Sequence, residues 1–144
     1  MTKRRLKSFC AVAVLALSHP IAVSAQEMET TFEARADEFI NSCASCHGRD
    51  GKGAGFLTRV FKGVDPGDLT MLAANNGGEF PVDEVFAVID GRADIAAHGD
   101  RQMPVWGDRY MDQEFYKWGP DRMNAERVRH RILELVHFLQ SIQQ

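Results

Sequence analysis

The chain lacks any apolar run near the roughly 20 residues of a membrane-spanning helix, which argues against an integral membrane protein. It also lacks a basic excess. Its 17 Lys and Arg stand against 20 Asp and Glu, a net charge of −3, the wrong sign for a surface built on phosphate contacts. Neither high net charge nor apolar poverty marks it as disordered, since 44% of its 144 residues are apolar. No strand-like alternation, internal repeat or low-complexity segment stands out. Cysteine is scarce, with three residues in all. These shortages leave one small, folded, helical domain.

The first 25 residues differ from the rest. Lys3, Arg4, Arg5 and Lys7 form a basic start, Phe9 to Leu17 an apolar stretch before His19-Pro20, and Val23-Ser24-Ala25 a small-residue cleavage site. The segment reads as an export signal cleaved after about Ala25; the competing reading, an uncleaved anchor, sits poorly with a stretch so short and interrupted by Pro20. Cys10 leaves with the leader. The predicted mature domain, residues 26–144, has 119 residues, 13 Lys and Arg against all 20 Asp and Glu, and a charge of −7. A domain of this size can build a modest core, and a bound prosthetic group could supply much of its apolar interior.

The two remaining cysteines carry the functional argument. Cys43-Ala44-Ser45-Cys46-His47 is a C-x-x-C-H run, the signature of covalent haem attachment. Two thiols three positions apart on a helical turn can add to the two vinyl groups of one porphyrin, and the adjacent His47 can offer its imidazole to the iron as proximal ligand. Two other readings compete. A thioredoxin-like disulfide site needs a strand before the motif, whereas Thr31 to Ser42 reads as helix. A zinc site needs further ligands at matching spacing, and the mature chain has no other cysteine.

A haem iron has a second axial position. Among the mature methionines and histidines, Met103 is the best candidate. It lies 56 residues after His47, in the loop-like stretch from His98 to Gly107, where Pro104 stiffens the backbone and Gly99 and Gly107 permit tight turns. His98 is second. Met71 reads as packing in a short apolar helix.

The remaining pattern is helical. A first helix is expected from about Thr31 into the cysteine motif, followed by a glycine-rich loop from Gly48 to Gly67. Asp68 reads as the N-cap of a short helix to Ala74, ended by Asn75-Asn76-Gly77-Gly78. Pro81 opens a helix that Gly91 closes. From about Asn124, Val128, Ile132, Leu135, Val136, Leu139 and Ile142 recur at three- and four-residue spacing, the mark of a long last helix.

On these residues the sequence resembles the class I c-type cytochromes, small monohaem electron carriers of the bacterial periplasm. The resemblance runs over most of the mature chain and rests on three stretches: Cys43 to Gly53, Asp68-Leu69-Thr70, and Met103-Pro104-Val105-Trp106-Gly107. It implies an all-α fold of three to five helices around one covalent haem c, with the N- and C-terminal helices packed together through Phe39, Leu135 and Phe138. It further implies His47 and Met103 as axial ligands. Two positions depart from the family. Arg35 stands where a small residue usually lets the helices cross, so Ala34 or Ala36 is expected to allow the approach. Gly55 is followed by Phe56 rather than the proline whose carbonyl accepts the proximal histidine's N–H; another carbonyl within Phe56 to Pro66 is expected to serve.

Trp106 and Arg101 are candidate haem contacts, Arg101 as a propionate partner. Trp118 and Arg92 are weaker candidates of the same kinds. His130 and His137 read as surface residues, and Arg127, Arg129 and Arg131 as a solvated face. Filling both axial positions leaves no open site for substrate, so the expected activity is one-electron transfer without bond-making chemistry. The partners the resemblance implies are a periplasmic dehydrogenase as donor and a membrane oxidase or reductase as acceptor, with no nucleic acid. The charge of −7 points to partners with positive patches. The alternatives are a haem-bearing subunit of a dehydrogenase complex, for which Tyr110 to Met123 could form the contact, and a haem enzyme or gas sensor with an open distal site.

Overall fold

The computed structural model describes residues 25–63, 65–91 and 103–144, with side chains from residue 32 onward. The predicted leader apart from Ala25, and the stretch holding Arg92, His98 and Arg101, lie outside the described residues. The described chain is all α-helical: α1 (Ala25–Ser42), α2 (Ala44–His47), α3 (Phe56–Val60), α4 (Leu72–Asn75), α5 (Val82–Asp90), α6 (Trp106–Trp118) and α7 (Asn124–Ser141), with a 3-10 turn over Leu69–Met71 leading into α4. Three to five helices were expected. Four reach nine residues or more; the other three are single turns of four or five residues, too short to leave a period of 3.6 in the sequence. None of the described helices is long and apolar enough to cross a membrane.

The crossing of α1 and α7 is the centre of the fold. The period of α7 turns Val128, Ile132, Leu135, Val136 and Leu139 inward, and all five are buried. From α1, Phe39 is fully buried and its ring lies 4.9 Å from that of Phe138. Enclosing a side chain of that size contributes on the order of 1.5–3 kcal/mol. At the position where a small residue was looked for, Arg35 reaches sideways and pairs with Glu134 of α7, while its neighbour Ala36 packs into the core. The helices therefore approach over alanine, and the arginine closes the rim.

A polar junction ties α6 to this pair. Tyr110 of α6 is fully buried, and its hydroxyl donates to Glu38 Oε1 at 2.9 Å. The same carboxylate accepts from Ser42 Oγ at 2.6 Å, and from Arg131 Nε and Nη2 at 2.9 and 3.1 Å. The Arg131 guanidinium lies 3.9 Å from the Tyr110 ring centroid and donates through Nη1 to Gln113 Oε1 at 2.7 Å. Burial pushes the Glu38 carboxyl up, but the bonds from Arg131 and Ser42, the Arg131 charge and the Tyr110 hydroxyl together hold it below its ordinary range. Burial likewise pushes the Tyr110 phenol well above its usual range.

The expected solvated arginine face holds for Arg129, which is exposed, and for Arg127, whose ion pair lies at the surface, but not for Arg131. Arg131 is bound to Glu38, Arg127 donates to Asp121 and Asn124 at 2.8 Å each, and Arg129 lies over the Phe86 ring. The partners of Arg127 are local, three and six residues upstream, whereas Glu38 lies 93 positions from Arg131.

The smaller elements follow their local signals. Asp68 accepts from the backbone N–H and the hydroxyl of Thr70 at 2.9 and 2.6 Å, capping the 3-10 turn. Pro81 precedes α5, whose Val85 and Ile89 are buried, and Gly91 ends it at φ +66°, a left-handed conformation that glycine adopts without a Cβ clash. Helix α6 was not foreseen. Of its 13 residues only Gly107 and Tyr110 are buried, while Phe115, Tyr116 and Trp118 face out, although Met111, Phe115 and Trp118 recur at four- and three-residue spacing.

Candidate functional site

Helix α1 delivers its chain directly into the cysteine motif. The Cys43 N–H donates to the Phe39 carbonyl at 2.8 Å, continuing α1, and the Cys46 and His47 N–H groups both donate to the Cys43 carbonyl, at 3.1 and 3.0 Å. Cys43, Cys46 and His47 thus share one helical turn, anchored by Phe39 four residues upstream.

The loop that follows folds back onto this turn. Gly53 N–H donates to the His47 carbonyl at 2.8 Å and Gly55 N–H to the Cys46 carbonyl at 3.0 Å. A Cβ at Gly55 would collide with the backbone carbonyls of Ser45 and Cys46, so only glycine permits this approach. The loop is fastened in turn to Leu69, whose N–H donates to the Gly51 carbonyl at 2.8 Å. The chain's C-terminus closes the assembly. Gln143 Nε2 donates to the Leu69 and Leu139 carbonyls at 2.8 and 2.7 Å, and its Oε1 accepts from the Ala73 N–H at 2.9 Å.

Both thiols are free. Cys43 is buried and its thiol is pushed up to about 12, first by burial and then by the negative charge of Glu38 and by Cys46. His47 is also buried, and burial lowers its pKa, which leaves the imidazole neutral near pH 7. Its Nδ1 is the one buried side-chain nitrogen or oxygen without a hydrogen bond among the described residues.

That orphan bears on the carbonyl expected within Phe56 to Pro66, a range in which Val64 lies outside the described residues. No carbonyl among the described residues of Phe56 to Pro66 reaches His47 Nδ1. The Gly55 carbonyl, immediately upstream, is occupied by the Thr58 N–H at 3.2 Å and the Thr58 hydroxyl at 2.7 Å, because the chain turns there into α3.

Met103 is half-buried and packs against the cluster that contains Cys43 and Ala44, as does Trp106. The Trp106 ring lies 5.5 Å from that of Tyr110, with Arg109 above it. Of the other methionines, Met111 packs against the same cluster, Met71 is half-buried and Met123 is exposed. Trp118 is half exposed at the far end of α6, flanked by Lys117 and Arg127. His130 and His137 face solvent, His130 lying 3.8 Å from Glu134. Among the described residues no three of His, Cys, Asp and Glu gather into a metal-binding group. Sequence reasoning missed Gln143 and the Glu38–Tyr110–Arg131 junction beside Cys43. A glutamine offers no pattern, but the glutamate and arginine on opposite helices carry a charge signal that could have been tested. Comparison of the chain with family models, with curated proteins and with solved structures found no match in any of the three.

Proposed function

We propose that this chain is a monohaem c-type cytochrome, exported behind residues 1–25, that carries single electrons between protein partners in the periplasm. Cys43 and Cys46 would hold the haem through thioether bonds, and His47 and Met103 would bind its iron. Haem held in this way supplies a one-electron couple. The protein's part is to bind, orient and keep water away.

The observation that carries this reading is the turn itself: two free thiols and a buried, neutral imidazole on one helical turn, with an imidazole nitrogen that has no partner among the described residues. A buried polar atom left unpaired costs about 1–3 kcal/mol, so it calls for a reason. Iron at one ring nitrogen would leave the other to donate, so the orphan Nδ1 supports a ring that the described residues do not claim rather than the iron bond itself. Met103 and Trp106 offer a thioether and an indole to the same apolar cluster, and Pro104 limits the backbone freedom beside the ligand. The donors for a dehydrogenase-to-oxidase or dehydrogenase-to-reductase relay are protein surfaces, met in small, transient contacts.

The test is the mass of the natively matured chain. An adduct of about haem mass, lost in the Cys43→Ser/Cys46→Ser double variant, is the expected result; a chain of bare polypeptide mass overturns the proposal. Met103→Ala is expected to change the visible spectrum and lower the midpoint potential. An unchanged spectrum removes Met103 as ligand, and a five-coordinate iron that binds carbon monoxide in the unaltered protein favours the enzyme or sensor reading. The exposed Phe115, Tyr116 and Trp118 of α6 favour a second reading, a haem-bearing subunit of a larger dehydrogenase. Sedimentation of the native material as a stable complex is the result that supports it.

A further inference from the structure

The chain has four asparagines, Asn41, Asn75, Asn76 and Asn124, and the fold treats the backbone nitrogen that follows each of them differently. Asn41 stands before Ser42 inside α1, where N–H groups are committed to the helical ladder. The nitrogen after Asn75 is that of Asn76, which donates to the Leu72 and Ala73 carbonyls at 3.1 Å each. Asn124 is buried and held at both ends of its amide, Nδ2 donating to the Gly119 carbonyl at 2.9 Å and Oδ1 accepting from Arg127 at 2.8 Å. Asn76 is followed by Gly77, and both are exposed.

The turn that closes α4 leaves the Gly77 nitrogen over. Gly78 N–H donates to the Ala73 carbonyl at 2.8 Å, the long bond of a Schellman turn, but the companion bond from the left-handed glycine before it is not made, and Gly77 N–H has no hydrogen bond among the described residues. It is also unhindered, since a Cβ at Gly77 would meet nothing within 4 Å. The Asn76 carboxamide beside it is tethered through Nδ2, which donates to the Glu79 carbonyl at 2.8 Å in an exposed bond. Exchanging such a bond for water costs about 0.5–1.5 kcal/mol, so the amide is released often.

We propose that Asn76 is a self-modifying site, one that deamidates through a cyclic imide formed with Gly77 and ends as aspartate or isoaspartate. The Gly77 nitrogen gives up its proton to water and attacks Asn76 Cγ. A nitrogen–carbon bond forms there, the Cγ–Nδ2 bond breaks, and Nδ2 leaves as ammonia with a proton taken back from water. Water then opens the ring at either carbonyl. The sum is one water consumed and one ammonia released, with no change in oxidation state. The product bears a carboxylate beside the exposed Glu79, and it has lost the donor that held the Glu79 carbonyl. The isoaspartate form also lengthens the backbone by one carbon. The corner between α4 and α5 therefore loosens as the protein ages, whether or not the chain carries a haem.

The natively matured chain is held in mildly alkaline buffer, its fragments are followed by mass, and isoaspartate is counted by enzymatic transfer of a labelled methyl group from S-adenosylmethionine. Asn76 is expected to convert about tenfold or more ahead of Asn41, Asn75 and Asn124, and Gly77→Ala to slow it by about tenfold or more, because a Cβ hinders the attack. Ala125→Gly sets a glycine after the buried Asn124; that site is expected to stay intact while the chain is folded and to convert in denaturant. Asn76→Asp is expected to speed hydrogen exchange at the Gly78 and Glu79 amides by about threefold or more without incubation. Four results would each overturn the proposal: Asn76 intact after the denatured chain has converted, Gly77→Ala ageing at the unaltered rate, Asn124 of the folded Ala125→Gly chain keeping pace with Asn76, or an Asn76→Asp corner that exchanges no faster. The adduct mass is read on the same sample, so a bare polypeptide that deamidates at Asn76 sinks the carrier reading alone, and a haem-loaded chain that keeps its Asn76 amide sinks this one alone.

Discussion

Two regions of the molecule meet between Ser42 and Cys43 and treat their polar atoms in opposite ways. On one side, at the crossing of α1, α6 and α7, the Glu38 carboxylate is saturated by Ser42, Tyr110 and Arg131, and Arg35 is matched by Glu134. On the other, the cysteine turn buries an imidazole with an unpaired nitrogen, and the loop behind it exposes two phenylalanines and a valine. The first region is complete as it stands. The second has an imidazole nitrogen that the described residues leave unpaired, and a buried polar atom without a partner calls for a reason. The difference separates the part of the sequence that supplies stability from the part that supplies function.

The crossing should therefore fail first when cut. Phe39→Ala removes a fully buried ring stacked near Phe138 and is expected to cost about 3–5 kcal/mol in denaturant unfolding. A loss under about 1 kcal/mol would show that the core lies elsewhere. Arg131→Met strips Glu38 of its cation and leaves a largely enclosed carboxylate with hydroxyl donors only, for about 2–3 kcal/mol. Its pH dependence has a definite sign. The folded Glu38 carboxyl lies below its ordinary value of 4.5, so its contribution is full above that pH and is lost as pH falls through the folded value. In Arg131→Met the folded value rises, so stability should fall less steeply between about pH 5 and pH 3 than in the unaltered protein. Parallel acid curves would remove the pair as the source.

The two regions also differ in how legible they were. The spacing of Val128, Ile132, Leu135 and Val136 announced α7, and Phe39 with Phe138 announced its partner, because burial on a helix leaves a period in the chain. The chemistry of Cys43, Cys46 and His47 was equally open, since the motif is contiguous. What stayed hidden was set by distance. Glu38 and Arg131 lie 93 positions apart, and nothing local says that one satisfies the other. The carbonyl sought for His47 was an inference from a family habit, and the Thr58 hydroxyl, which bonds the Gly55 carbonyl just upstream of the range searched, gives no sign of that role in sequence. Helix α6 was legible but unread: Met111, Phe115 and Trp118 fall at four- and three-residue spacing, beside a stretch up to Gly107 that has the marks of a loop.

The loop side depends on space where the crossing depends on contacts. Gly55→Ala places a methyl group against the Ser45 and Cys46 carbonyls and is expected to cost about 1–2 kcal/mol in thermal unfolding, as the loop is pushed off the turn. A neutral outcome would mean the loop shifts freely, and the close approach would then have no part in shaping the site.

Gln143 is where the two regions are fastened together, and its loss should be the mildest and the most informative. Its amide joins the end of α7 to the Leu69 carbonyl and the Ala73 N–H, and Leu69 in turn holds Gly51 of the loop. Gln143→Ala is expected to cost about 1 kcal/mol, the scale of a hydrogen bond exchanged for one with water. Hydrogen exchange tells where that loss falls. Faster exchange confined to Gly53, Gly55, Leu69 and Ala73, with the α1 and α7 amides unchanged, would mean the loop opens as a separate unit against a closed crossing. An equal rise across all of them would mean that the contrast between a finished region and an unfinished one does not extend to how the molecule opens, because the crossing and the turn would then come apart only as one.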